Sequence, residues 1–419
     1  MSDQNKLIPK LRFPEFEKDV EWDQEIFDDV FVRLTNKNKE NNQNVLTISA
    51  QLGLVSQLEY FNKKVAAKDV TGYYLLHKGD FAYNKSYSKG YPMGAIKPLK
   101  YYDKGVVSTL YICFRAKDGY SPSFLEQYFE AGLLNSEIAK IAQEGGRAHG
   151  LLNVSVKEFF EDILLLIPKS SEQQKIAACL SSLDHLITAH NDKLKALKDH
   201  KKGLLQNLFP QEGQKVPNYR FPEFRSEGEW SLKSLGELGR ILNGLTYNPK
   251  DVRDKGLLVF RSSNVQSGAI DLNDCIYVRK DIKGAILSQP KDILVCVRNG
   301  SKRLIGKNAI IPEDIPLATH GAFMTVFRAD KPEFVYQLFQ SDTYNRQVKA
   351  DLGATINSIN SKNLIKYEFL VPKCPNEQQE IASCLSAIDE FIKAQTEKIK
   401  QLQQHKNGLM QGLFPQLSN

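Results

Sequence analysis

Much of what this 419-residue chain can do is bounded by what it lacks. Its longest apolar run of note, Ile163 to Ile167, is far too short to span a bilayer, and the opening MSDQNKLIPK has no apolar signal-peptide core. A cytoplasmic protein is the expectation. Six cysteines, at 113, 179, 275, 296, 374 and 384, contain no CxxC pair and no regular framework, so they read as reduced thiols. Seven histidines form no HExxH and no metal-ligand spacing. The nearest thing to a phosphate loop runs from Gly300 to Asn308. It has five residues between its glycines where the P-loop has four, and Asn308 where that loop needs Ser or Thr to hold magnesium. Zinc, disulfide and nucleotide chemistry therefore find no motif. The net charge of +7 and pI near 8.8 mildly favour a polyanionic partner and decide nothing alone.

What is present is a repeat. Residues 171–211 recur at 376–416 without a gap, with 23 of the 41 aligned positions identical. In each copy, residues able to face a partner helix alternate at steps of four and three. They are Ile176, Leu180, Leu183, Ile187, Leu194, Leu197, Leu204 and Leu208 in the first, with His190 and Lys201 as polar interruptions. In the second they are Ile381, Leu385, Ile388, Ile392, Ile399, Leu402, Leu409 and Leu413, interrupted by Gln395 and Lys406. The 3.5-residue period is that of a coiled-coil seam. Each copy predicts one helix of about 37 residues, roughly 55 Å long at 1.5 Å per residue. Two equivalent helices pairing through the same face do so most simply about a two-fold axis, which makes them antiparallel.

The duplication covers whole halves. Arg12-Phe13-Pro14-Glu15-Phe16 with Glu21-Trp22 returns as Arg220-Phe221-Pro222-Glu223-Phe224 with Glu229-Trp230, and these are the only tryptophans. Between each arm and its helix lies a variable region. The first carries runs of strand character at Val45–Ile48, Asp80–Tyr83, Val106–Phe114 and Asp162–Ile167, and a helix capped by Ser121 with Pro122 behind it. The second keeps that order with little identity, Asp292–Val297 standing for the strand after Asp80. Near-identical helices beside drifted globular regions suggest parallel jobs on different targets.

In this order of features the chain resembles the DNA-specificity subunits of type I restriction-modification systems. The resemblance rests on the glutamate-led helix openings at Glu172 and Glu377, the closing LFPQ at Leu208 and Leu413, the RFPEF lead-ins, and the Ile167-Pro168-Lys169 and Val371-Pro372-Lys373 entries. It implies an α+β chain in which two mixed α/β target-recognition domains are separated by an antiparallel coiled coil, in a pseudo-two-fold internal duplication. The expected division is residues 1–170 for the arm and first domain, 171–209 for the first spacer helix, 210–229 for the linker, 230–375 for the second domain and 376–414 for the second helix. The resemblance further implies double-stranded DNA as ligand, each domain reading half of a split target. The implied partners are two adenine-N6 methyltransferase subunits and motor-nuclease subunits. S-adenosylmethionine, ATP and Mg would sit on those partners and no cofactor on this chain. The chain has no Pro-Pro dipeptide, so it lacks the Asn/Asp-Pro-Pro-Tyr/Phe grip of an adenine methyltransferase and is not expected to be an enzyme.

Readers of base edges need polar and basic side chains on loops. Candidates follow an early strand at Ser49 and Gln51, and at Arg261, Ser263 and Asn264. Others follow the central strand at Asn84, Lys85, Ser86, Tyr87, Ser88 and Lys89, and at Arg298, Asn299, Ser301, Lys302 and Arg303. A glycine loop adds Arg147, answered by Gly353-Ala354-Thr355 without an arginine. The KDHKK run at Lys198–Lys202 becomes QQHKN in the second helix and reads as a solvated or protein-docking face. The competing reading is a coiled-coil protein scaffold that binds no DNA.

Overall fold

The structure is a computed structural model that describes residues 7–62, 67, 69–142, 152–352 and 358–415. It divides into two compact units, Met1–Asn191 with Glu397–Asn419, and Asp192–Thr396. Both divisions fall inside the long helices, Ser170–Leu208 and Pro375–Leu413. Each unit therefore owns half of each helix, whereas the sequence division treats the helices as separate elements.

In the first unit an antiparallel four-stranded sheet runs in the order Phe31–Arg33, Ile112–Ala116, Phe81–Asn84, Ala95–Pro98. Alternation along its strands feeds two cores. Phe81, Tyr83 and Phe114 join Phe31, Phe124 and Phe129, while Ala82, Cys113 and Ala95 join Leu46, Leu54 and Leu76. The helix Pro122–Glu130 begins where the sequence places it, with Ser121 Oγ accepting from Phe124 N at 3.3 Å. The Val106–Phe114 run, expected as a single strand, is two: Lys104–Val107 and Ile112–Ala116, separated by a turn in which Tyr111 N donates to Ser108 O. No Gly, Pro or Asn marks that turn, and apolar residues continue across it.

The second unit repeats the plan with Gly239–Asn243, Met324–Ala329, Ile293–Cys296 and Asn308–Ile310 in the same sheet order. Ile293, Val295 and Phe327 face the core that holds Phe334 and Phe339 of the helix Pro332–Gln340; Leu294, Cys296 and Val326 face the other core. One polar device survives the divergence. Asp80 takes Arg115 Nε and Nη2 at 2.5 and 2.9 Å and accepts from His77 N, and Asp292 takes Arg328 Nε and Nη2 at 2.8 Å each and accepts from Gln289 N.

Each unit contains a stretch of antiparallel helix pair. In the first, Ile176, Ala177 and Leu180 share a core with Leu413 and Phe414; in the second, Ile381, Ala382 and Leu385 share one with Leu208 and Phe209. All sixteen apolar seam residues named from the sequence are buried or half-buried. The seam lysines are answered by acids. Lys406 Nζ lies 2.6 Å from Asp184 Oδ1, with Gln127 Nε2 donating to Asp184 Oδ2 at 2.8 Å. Lys201 Nζ lies 2.7 Å from Asp389 Oδ1, and Gln337 Nε2 is 3.4 Å from Asp389 Oδ2. The arms are clamped in the same way. Arg12 makes a two-pronged pair with the buried Glu172 at 2.8 and 2.7 Å, and Arg220 does so with the buried Glu377 at 2.8 Å twice. Trp22 meets Phe414 edge-on at 6.2 Å, and Trp230 meets Phe209 at 6.1 Å. Each tryptophan thus packs on the LFP end of the other half's helix.

Candidate nucleic-acid interface

In the first unit the loop after the central strand is built by local hydrogen bonds. Asn84 Oδ1 accepts from Ser86 N at 3.1 Å, Ser88 and Tyr91 bridge through their backbones, and Gly90 takes the left-handed φ of 86° that this tight return needs. Tyr91 OH donates to Glu130 Oε2 at 2.7 Å, and Lys97 Nζ pairs with Glu130 Oε1, which ties the loop base to the helix. Burial, reinforced by the Glu130 charge, pushes the Tyr91 phenol far up, so it stays a donor. Tyr87 and Lys89 project into solvent, and Ser86 and Ser88 are half-buried. Lys85 lines a hollow of about 140 Å³ with Arg33 and Leu110. Gln51 is exposed. Ser49, expected as a reader, is buried, and its hydroxyl accepts from Leu52 N at 3.2 Å, so it shapes the turn and is removed from the candidates.

In the second unit two candidate loops are joined. Asn299 Nδ2 donates to Ser262 Oγ at 2.9 Å, Asn299 Oδ1 accepts from Ser301 N, and Lys307 Nζ donates to the carbonyls of Ser262 and Val265. Arg261 pairs with Asp274 at 2.7 Å. Ser263 is half-buried, and its Oγ is without a hydrogen-bond partner among the described residues. Asn264 is a second correction. It is fully buried, with Nδ2 donating to the Asp271 and Asp274 carbonyls and Oδ1 accepting from Arg261 N, so its whole amide is spent on the fold. Arg298 lies over the Phe323 ring at 5.8 Å, and Lys302 and Arg303 are exposed on a short 3-10 turn. Arg147 and the Gly353-Ala354-Thr355 segment lie outside the described residues.

The twin aspartates also correct the matching of the central loops. With Asp80 set on Asp292, Asn84 corresponds to Cys296 and Lys85 to Val297, and the carbonyls of Lys85 and Val297 accept from Leu152 N and Ile359 N. Matched by polar composition alone, the loop that starts at Asn84 falls opposite the one that starts at Arg298, two residues out of strand register. Sequence reasoning also passed over Arg33, Leu110 and Phe323. Their only signal is exposure beside basic loops, which needs the fold. Among the described residues no His, Cys, Asp and Glu cluster could hold a metal ion, and no helix is long and apolar enough to cross a membrane.

Two units built on the same four-stranded sheet order, each containing a stretch of the paired long helices, define an internally duplicated protein. The chain belongs to the type I restriction modification DNA specificity domain family, whose model matches residues 29–199 and 227–404. It is 25% identical over 186 residues to the type I restriction enzyme StySPI specificity subunit of Salmonella potsdam, a match covering 41% of this chain and 40% of that one. It is 24% identical over 265 residues to the MjaVIII specificity subunit of Methanocaldococcus jannaschii, covering 61% and 62% respectively. The matches thus span less than two thirds of these relatives. Among solved structures, the type I restriction-modification S subunit from M. genitalium matches with a TM-score of 0.62 at 14% identity, over 98% of this chain and all of that one. A chain of a type I R-M system matches at 0.53 and 17%, over 94% and 97%. These are likenesses of fold.

Proposed function

We propose that the chain is the DNA sequence-recognition subunit of a type I restriction-modification complex, each unit reading one half of a bipartite target. The observation that carries this is the contrast inside the repeat. The Asp–Arg pin, the sheet order and the long helix are kept, while the loop side chains beside them differ, with Lys85 and Tyr87 in one unit and Arg298 and Asn299 in the other. A constant scaffold with changed loops is what two readers of different sequences require.

The long helices set the gap between half-sites and dock two adenine-N6 methyltransferase subunits, to which motor-nuclease subunits add. The chain itself is non-catalytic, holds no cofactor and works in the cytoplasm; S-adenosylmethionine, ATP and Mg belong to the partners. Co-expression with a cognate adenine methyltransferase in a host lacking adenine methylation, followed by mapping of N6-methyladenine, tests the reading. One split motif with a constant gap is the expected result. A soluble complex of both proteins that methylates nothing would favour the protein scaffold instead.

A further inference from the structure

The two units place the same turn at the same point. Ser108 to Tyr111 and Gly321 to Met324 each close with a backbone hydrogen bond from the fourth residue to the first, at 3.1 and 2.8 Å, just before the strand that carries Arg115 or Arg328. The third residue is Leu110 in one turn and Phe323 in the other, and they are 69% and 56% exposed. Exposed turns favour Gly, Asn, Asp or Ser at their centre, because those residues bond to their own backbone or accept unusual φ. A single exposed apolar residue means little. Here it recurs at twin positions whose surroundings have otherwise diverged.

Both side chains lie beside cations. Leu110 lines the hollow that also holds Lys85 and Arg33, and Phe323 lies under Arg298. Phe323 O also accepts from Val297 N and Arg298 N, at 3.0 and 3.1 Å, so the turn is tied directly to the loop. None of the three cations has an ion-pair partner among the described residues. An exposed apolar tip beside a cation that has no ion-pair partner among the described residues suits a ligand that is polyanionic overall but offers a local apolar group. Duplex DNA offers one such group on its readable edge, the C5-methyl of thymine.

We propose that Leu110 and Phe323 are base-contacting residues, one per half-site, that each read a thymine methyl group in the major groove. The inference rests on the DNA-recognition reading above. Its test uses the complex of the full chain with its methyltransferase, and duplexes in which each thymine of the target is replaced singly by uracil, which removes only the methyl. In the wild-type complex, one uracil in each half-site weakens binding roughly fourfold, the worth of one buried methyl. The Phe323→Ala complex no longer distinguishes thymine from uracil at the position in its half-site, and Leu110→Ala loses the distinction in the other, with thermal midpoints unchanged. The contact is overturned if no uracil weakens binding, if the uracil effect survives both substitutions, or if the variants weaken binding without losing it, as a wedge between base steps would. A wild-type complex that prefers no duplex sequence overturns the recognition reading itself, and this inference with it.

Discussion

The Lys406 ammonium stands 2.6 Å from Asp184 on the facing long helix, while Gln127 of the first unit's globular region donates to the other oxygen of the same carboxylate. One acid thus holds a helix partner and a domain together. Asp184→Ala removes both bonds and leaves the buried Gln127 amide without its acceptor, so it costs about 1 to 3 kcal/mol. Urea unfolding midpoints of the full chain read this. A double-mutant cycle with Lys406→Ala gives a coupling of about 0.5 to 3 kcal/mol, and strict additivity would show that the pair does not interact.

The arm clamps are drier. Glu377 is buried beneath Arg220 and also accepts from Trp230 Nε1 at 3.2 Å. Arg220→Ala strands a buried carboxylate and costs about 3 to 5 kcal/mol, whereas replacing both partners with apolar residues of similar volume costs far less. Denaturation of the single and double variants separates the two cases. A single variant as stable as wild type would remove the clamp from the account.

His320 is fully buried, with Nε2 at 2.9 Å from Leu242 O and Nδ1 at 3.4 Å from Ser288 Oγ. Burial lowers its pKa from the ordinary 6.5. Below 6.5 the unfolded chain therefore takes up a proton that the folded chain refuses. Stability contributed by neutral His320 is present above that pH and is lost as the pH falls toward the lowered folded value. His320→Gln should flatten this slope below pH 6.5, as read by thermal midpoints over a falling pH series. An unchanged slope would assign the titration elsewhere.

Arg298 and Lys85 should separate on DNA. Arg298→Ala costs about 1 to 3 kcal/mol and relaxes the motif in one half-site only. Lys85→Ala, if its ammonium meets a phosphate, weakens every duplex alike and lowers the salt slope by about one. Binding isotherms at several salt concentrations, with methylation maps for both variants, distinguish base reading from backbone holding.

The long helices were legible because their period and their identity reinforce each other over 41 positions, and the helix at Pro122 because its cap is local. The pins were not legible. Asp80 and Arg115 are 35 residues apart, and nothing in either neighbourhood announces a partner. Lys201 and Lys406 stood out only as interruptions of the seam; that acids answer them follows from which helix faces which. Asn264 misled because an amide on a loop looks the same in sequence whether it faces a base or two backbone carbonyls.

The swapped helix ends also set an order of assembly. Residues 192–396 form a continuous stretch that is complete once its last residue is made. The first unit is synthesised earlier but closes later, because Trp22 and Phe124 wait for Phe414, nearly four hundred residues downstream of Trp22. During translation the older half is therefore the one with its aromatic core uncovered, the condition under which nascent chains attract chaperones or aggregate. Slow synthesis anywhere between residue 191 and the closing helix end would lengthen that exposure, because the first half waits through the making of the whole second half.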